Sequence, residues 1–190
     1  MERFCKITRI LTLAPLLAIF SLTAIALMKN GVFPTVWHYI YTVAFLGILP
    51  LLAYPAQKIT PYFKDKGRSG QRLLAMIFAV AGYVLSVVVN IFTSCTADMW
   101  LISLEYLISG VLILFFNKVL KIKISAHGCG SAGPIFLLLY FGLIVPALIM
   151  GVITVLAYVS SIKAKHHTVP QLVGGSAVSI LLLFCLSFVF

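Results

Sequence analysis

Residues 126–161 read AHGCGSAGPIFLLLYFGLIVPALIMGVITVLAYVSS, and the way this stretch crosses a membrane decides the fold. It forms either one long helix or a hairpin of two helices. A break near Pro146 leaves segments of roughly 27 Å and roughly 24 Å at about 1.5 Å per residue, which are short for a bilayer but tolerable where it thins locally. Gly142 suits a helix end and Pro146 suits a first helical turn. We therefore predict a hairpin.

The Lys and Arg residues give an independent reason to choose the hairpin. Thirteen of the fourteen fall into four clusters, and Lys29 alone stands apart. If two spans separate each cluster from the next, all four lie on one membrane face. The positive-inside tendency would make that face cytoplasmic, but cations that serve an anion site do not follow this tendency, so the side stays open. The clusters are Arg3, Lys6, Arg9; Lys58, Lys64, Lys66, Arg68, Arg72; Lys118, Lys121, Lys123; and Lys163, Lys165.

The composition indicates one integral membrane domain over residues 1–190. Hydrophobic residues make up 62% of the chain and charged residues 9%, which is too apolar for a soluble domain of this size. We predict an all-α fold, a polytopic transmembrane helical bundle with about six or seven spans. The spans are roughly 10–28, 36–54, 72–92, 100–116, 126–143, 146–161 and 172–190, and the basic stretch 55–71 is a loop. The net charge of +10 lies in loops, where it can meet lipid headgroups or an anionic substrate rather than nucleic acid.

Two histidines stand at predicted helix starts on the basic face. His127 is followed by a run of small residues, and His167 follows Lys163 and Lys165. Backbone N–H groups and the helix dipole favour an anion at such a position. Lys at span ends usually reports topology, and Gly or Ser in a span usually packs helices. Both histidines lie beside Lys on one face, however, and this combination favours a phosphate site there.

Around these histidines the chain resembles the type 2 phosphatidic acid phosphatase superfamily of membrane lipid phosphatases. The family's second signature, Pro-Ser-Gly-His, is similar to Ser125-Ala-His127, where Ile124 stands in place of Pro. The third signature is Ser-Arg, five residues, His, three residues and Asp, with a Gly shortly after. Its frame is matched at Ser160, His167, Gln171 and Gly175.

The first signature of the family, Lys, six residues and Arg-Pro, is matched least. Arg72 stands for its Arg, but Leu73 follows in place of Pro, and Lys64 and Lys66 each miss the spacing by one residue. The resemblance covers roughly residues 58–175. It also implies two helices between the second and third signatures, in agreement with the hairpin that the charges favour.

The resemblance implies a lipid phosphatase that works without a metal or other cofactor. His167 would attack phosphorus and carry a phosphohistidine, and His127 would protonate the leaving oxygen and later help to activate water. Gln171 would accept a hydrogen bond from the His167 ring. The expected partners are a lipid phosphate and the bilayer of a bacterial inner membrane, which the chain crosses several times. The expected phosphate-binding residues are Ser125, Arg72, Lys66, Lys163 and Lys123.

Two departures from the family pattern support a second interpretation. Ser161 stands where the family has Arg, and Gln171 stands where it has Asp. An amide can orient the imidazole but cannot stabilise its charged form, and a comparable carboxylate-to-amide change is costly in serine hydrolases. The alternative is therefore a catalytically impaired relative that binds or carries an anionic lipid.

Two further alternatives concern single residues. His166 could replace His167 as nucleophile, but Pro170 would then occupy the partner position and cannot serve. Glu105 is a carboxylate inside a predicted span, which is expensive and often functional. A small transporter or channel would use it, yet few polar residues are available to line a pathway, and a structural role for Glu105 is as plausible as a functional one.

Overall fold

The computed structural model describes residues 13–190, and every regular element in that range is helical. The cluster Arg3, Lys6 and Arg9 and the first residues of the predicted first span lie outside that range. Some helices contain a wider π-helical turn, at Ala44–Ile48 and at Phe115–Val119. The helices are α1 Ala14–Met28, α2 Val36–Ile59, α3 Pro61–Lys64, α4 Gly67–Phe92, α5 Ala97–Val119, α6 Ala126–Tyr140, α7 Ile144–Lys163 and α8 Val169–Leu186.

Five of these helices are long and apolar enough to cross a membrane, namely α2, α4, α5, α7 and α8. The predicted all-α membrane bundle is therefore confirmed at this level for the described residues. Helices α1 and α6 have 15 residues each, which gives them a length of about 22 Å. Both are shorter than the hydrocarbon core of a typical bilayer, about 30 Å.

The prediction of a loop over residues 55–71 is wrong. Helix α2 continues through Pro55 to Ile59, α3 follows, and α4 already begins at Gly67. The side chain of Gln57 explains how so tight a connection is held. Its Nε2 donates to the carbonyl oxygens of Phe63, at 3.2 Å, and of Gly67, at 2.7 Å, and so ties the end of α2 to the start of α4.

The predicted helix break between α6 and α7 is present, and it has a defined local geometry. Gly142 has φ 70°, the left-handed conformation that glycine adopts without strain. Its N–H donates to the carbonyl oxygen of Leu139 at 2.9 Å, and the N–H of Leu143 donates to the carbonyl oxygen of Leu138 at 2.8 Å. These two bonds are those of a Schellman motif, which ends a helix. Helix α7 then begins at Ile144, with Pro146 in its first turn.

Helices α6 and α8 approach each other closely at the end of the bundle that carries the histidines. A Cβ atom on Gly128 of α6 would lie 2.6 Å from the carbonyl oxygen of Leu172 of α8. A Cβ on Gly175 would collide with the carbonyl oxygen of Ser125. Small residues at such crossings let two backbones approach, as is usual in membrane helices. The expectation that small residues in a span pack helices together is therefore confirmed for Gly128.

We predict that Gly175→Ala destabilises the protein by about 1–3 kcal/mol, because the new methyl group meets a backbone atom that cannot rotate away. Gly151→Ala is the matched control, since a Cβ at Gly151 meets no atom within 4 Å. Unfolding of both variants in detergent, followed by circular dichroism, measures the difference. Equal unfolding midpoints for the two variants would contradict the close approach of α6 and α8.

Candidate functional site

The two histidines singled out in the sequence lie side by side in the structure. His127 is in the first turn of α6, and His167 is in the connection just before α8. Their ring centroids are 6.5 Å apart, and the two ring planes are inclined by 7°. The rings are therefore parallel neighbours, although the two residues are forty positions apart in the chain.

Hydrogen bonds at the two helix starts hold this arrangement. Ser125 is the N-cap of α6, and its hydroxyl accepts from the N–H of Gly128 at 3.1 Å. Thr168 and Gln171 form a capping box at the start of α8. The N–H of Ser125 donates to the carbonyl oxygen of Gln171 at 2.9 Å, which links the two starts directly. Each cap satisfies backbone groups that the helix leaves without partners.

Gln171 has two partners rather than the single one that we expected. Its Oε1 accepts from the backbone N–H of Thr168 at 3.3 Å as part of the capping box. The Gln171 side chain also acts on His167 and raises its pKa. The amide oxygen that was expected to orient the imidazole therefore also serves the helix cap.

Positive charge surrounds His167. Burial lowers the pKa of His167 below its ordinary value of 6.5, because desolvation disfavours the charged imidazole. The hydrogen bond with Gln171 opposes this shift, and the charges of Arg72, His166 and Lys123 lower the pKa further. Arg72 and Lys123 are thus close enough to act on His167 electrostatically. Both side chains are exposed and can reach towards an anion.

The other expected phosphate ligands lie in different settings. Ser125 is buried, with 1% of its surface exposed, and its hydroxyl caps α6 rather than facing solvent. Lys66 places its Nζ 3.6 Å from the centroid of the Tyr62 ring, a cation–π contact. Lys163 lies in the last turn of α7. That these three residues bind phosphate stays a prediction, and the buried Ser125 hydroxyl would first have to become accessible.

Sequence reasoning missed Tyr158 of α7. The ring centroids of Tyr158 and His127 are 6.5 Å apart. The Tyr158 hydroxyl is 3.0 Å from Ser131 Oγ of α6 and 2.8 Å from Ser176 Oγ of α8. The sequence indicates only that Ser131 lies on the same face of α6 as His127, because it follows His127 by four residues. It does not indicate which residue of α7 packs against that face.

Glu105 lies in the interior of the bundle and not beside the histidines. Only 2% of its surface is exposed, and its Oε1 accepts a hydrogen bond from the hydroxyl of Ser179 on α8. A Cβ on Gly133 of α6 would lie 3.1 Å from the same oxygen. Glu105 therefore joins α5 to α8 at a point where α6 also passes, which is a structural arrangement.

Comparison of this chain with protein-family models, with curated proteins and with solved structures finds no match. The resemblance to the phosphatase signatures therefore rests on the residues quoted above. The arrangement of His127 and His167 is an observation independent of that resemblance.

We predict that His167 titrates below pH 6.5, because burial and the neighbouring cations disfavour its charged form. Arg72→Gln should raise this pKa, since it removes one of those cations. NMR titration of ¹⁵N-histidine in detergent micelles, assigned with His167→Asn, measures both effects. Lys64→Gln is the matched control, as Lys64 is not among the charges that act on His167. A His167 pKa above 6.5, or one that Arg72→Gln leaves unchanged, would contradict this description of the site.

Proposed function

We propose that this chain is a membrane-embedded lipid phosphatase, which hydrolyses a phosphate monoester or diphosphate of a lipid through a phosphohistidine. The observation that carries this proposal is the pair of neighbouring, parallel imidazoles with centroids 6.5 Å apart. A nucleophile in attack position lies about 3–3.5 Å from phosphorus, and a proton donor lies about 2.6–3.2 Å from the leaving oxygen. Because phosphorus and that oxygen are bonded to each other, both imidazoles must lie close to one phosphate group, and the two rings are near enough to each other to do so.

The proposed reaction has two steps. In the first, a ring nitrogen of His167 forms a bond to phosphorus, the bond from phosphorus to the lipid oxygen breaks, and His127 gives that oxygen a proton. A lipid alcohol leaves, or a lipid monophosphate if the substrate is a diphosphate. In the second, a water molecule gives a proton to His127 and bonds to phosphorus, the bond to His167 breaks, and inorganic phosphate leaves.

Cations take the place of the Arg that the family has at the position of Ser161. Arg72 and Lys123 already act on His167, and Lys66 and Lys163 are expected to reach the same anion. Phosphoryl transfer depends mainly on positioning and on stabilising the charge of the nonbridging oxygens. Lys supplies a point charge rather than the two-pronged donor of Arg, so the three Lys residues would bind the phosphate with less geometric control than Arg72.

The proposed topology has seven spans, with α1 and α6 crossing the membrane in addition to the five longer helices. Alternate helix ends then lie on the same side, and the basic clusters of the described residues share the face that carries both histidines. A bacterial inner membrane is the proposed location. The short α6 supports a site slightly below the headgroup level, since its start would not reach the bilayer surface without local thinning.

An apolar groove supports a lipid substrate rather than a soluble phosphate. It lies between α6 and α7 and has a volume of about 460 Å³. Its α6 wall is formed by Ile135 and Leu139, which continue the four-residue spacing of His127 and Ser131 along one face of the helix. On α7 the groove reaches Val155, about one turn from Tyr158. We propose that the acyl or prenyl chain of the substrate lies in this groove.

The phosphatase proposal predicts that purified protein releases inorganic phosphate from phosphatidic acid or a polyprenyl diphosphate in mixed micelles. His167→Ala should abolish release, because no phosphohistidine can form. His127→Ala should slow release by about 10²–10⁴-fold, the range for a lost general acid.

His38→Ala is the control for these assays. His38 lies at the opposite end of the bundle, where its Nδ1 is 2.8 Å from Thr35 Oγ1. Equal release by wild type and His167→Ala would contradict the proposal. If such a protein still bound anionic lipid, the impaired-relative interpretation, which Ser161 and Gln171 favour, would stand in its place.

The groove predicts that Gly151→Leu lowers kcat/KM for long-chain lipid phosphates about tenfold, because the new side chain enters space that is otherwise open. Hydrolysis of a short-chain, soluble phosphate monoester should change less than twofold. Ile149→Phe is the control, since Ile149 is exposed on α7 and does not line the groove. An equal loss of activity for both substrates would exclude the groove as the chain-binding site.

A further inference from the structure

The hydroxyl of Tyr158 lies where α6, α7 and α8 meet, and its ring is a neighbour of His127. It donates to the carbonyl oxygen of Gly128 at 3.0 Å, and it is 3.0 Å from Ser131 Oγ and 2.8 Å from Ser176 Oγ. Gly128 is the residue that follows His127. One hydroxyl on α7 therefore contacts both helices at whose starts the two histidines stand.

The same network reaches the backbone of His127. Ser131 Oγ donates to the carbonyl oxygen of His127 at 2.8 Å. Ser176 Oγ, on the other side, is 2.9 Å from the carbonyl oxygen of Leu172, and its one proton can go either to that oxygen or to the Tyr158 hydroxyl. Tyr158 thus connects two segments. One is the turn of α6 that includes His127, and the other is the start of α8, which directly follows His167 in the chain.

The ring of Tyr158 also contacts the His127 side chain. The two centroids are 6.5 Å apart, and the ring planes are inclined by 56°. His127 therefore has Tyr158 and His167 as ring neighbours, the first tilted against it and the second parallel to it. A side chain with ring neighbours in two directions has little freedom to change its rotamer.

We propose that Tyr158 is a positioning residue for the histidine pair, which holds α6 and α8 in the register that sets the imidazole gap and limits rotation of the His127 ring. This inference rests on the proposed function for its kinetic consequences. Tyr158 acts through His127 and is not itself assigned a contact with the substrate.

The physical reason for the effect is that α6 and α8 carry one histidine each. A small slide of one helix along the other changes the distance between the rings, and a misplacement of about 1 Å can lower a rate by about 10²-fold. The backbone contacts at Gly128 and Gly175 fix how closely the helices approach. The hydroxyl of Tyr158 supplies directional bonds that fix their register.

The test compares Tyr158→Phe with wild type in full-length protein in mixed micelles. Phe keeps the ring and removes the hydroxyl, so kcat should fall about 10- to 100-fold while KM stays within about twofold. Tyr158→Leu removes the ring as well. One limb of the pH–rate profile depends on His127 and is abolished by His127→Ala. Tyr158→Leu should shift the apparent pKa of that limb. Tyr140→Phe is the matched control, since Tyr140 is an exposed residue at the opposite end of α6.

A merely structural role for Tyr158 gives a different result. The variants would then lose folded protein, but the kcat of the folded fraction and its pH profile would equal those of wild type, and this would overturn the inference. If wild type itself releases no phosphate, the proposed function fails, and ¹⁵N-histidine NMR decides the question on its own. Tyr158→Phe should then still shift the ring resonances of His127, and unchanged resonances would overturn the inference.

Discussion

The close approach of α6 and α8 is the constraint on which the rest of the site depends. Gly128 and Gly175 allow each helix to place its backbone against a carbonyl oxygen of the other. Because these contacts lie in the first two turns of both helices, they bring the two helix starts together. The histidines belong to those starts, so their proximity follows from backbone packing rather than from any attraction between the two rings.

Hydrogen bonds between helices complete what backbone packing begins. Lipid tails are as apolar as the side chains they touch, so helix association in a membrane has little hydrophobic driving force and relies on close packing and polar contacts. Glu105 and Ser179 provide one such contact, and Tyr158 and Ser176 provide a second nearer the site. A third connects Tyr41, Asn90 and Ser103 across α2, α4 and α5. The contact between Tyr158 and Ser176 lies next to the proposed active site, and the other two contacts stabilise the surrounding helices.

Among the described residues, the groups that act on His167 are cations, an imidazole and an amide, and none of them is a carboxylate. Gln171, which stands where the family has Asp, caps the start of α8 through its oxygen, and its side chain also acts on His167. An imidazole in such surroundings favours its neutral form, which is the form that a nucleophile needs. In the proposed reaction, stabilisation of a positive charge on that ring would come from the phosphate group of the substrate.

The sequence by itself determined the class of protein, the helix break at Gly142, and the helix starts near which His127 and His167 lie. Each of these follows from local composition or from the glycine and proline residues within a few positions. The short connection around Gln57 escaped prediction, because a side chain reaching six and ten residues ahead converts an apparent loop into a tight turn. Only the tertiary structure decided that Tyr158 would meet His127 and that Glu105 would meet Ser179. Helices that are apolar on every side carry little periodic signal for which face packs inward, and so their partners are set by small residues and polar contacts that appear only after assembly.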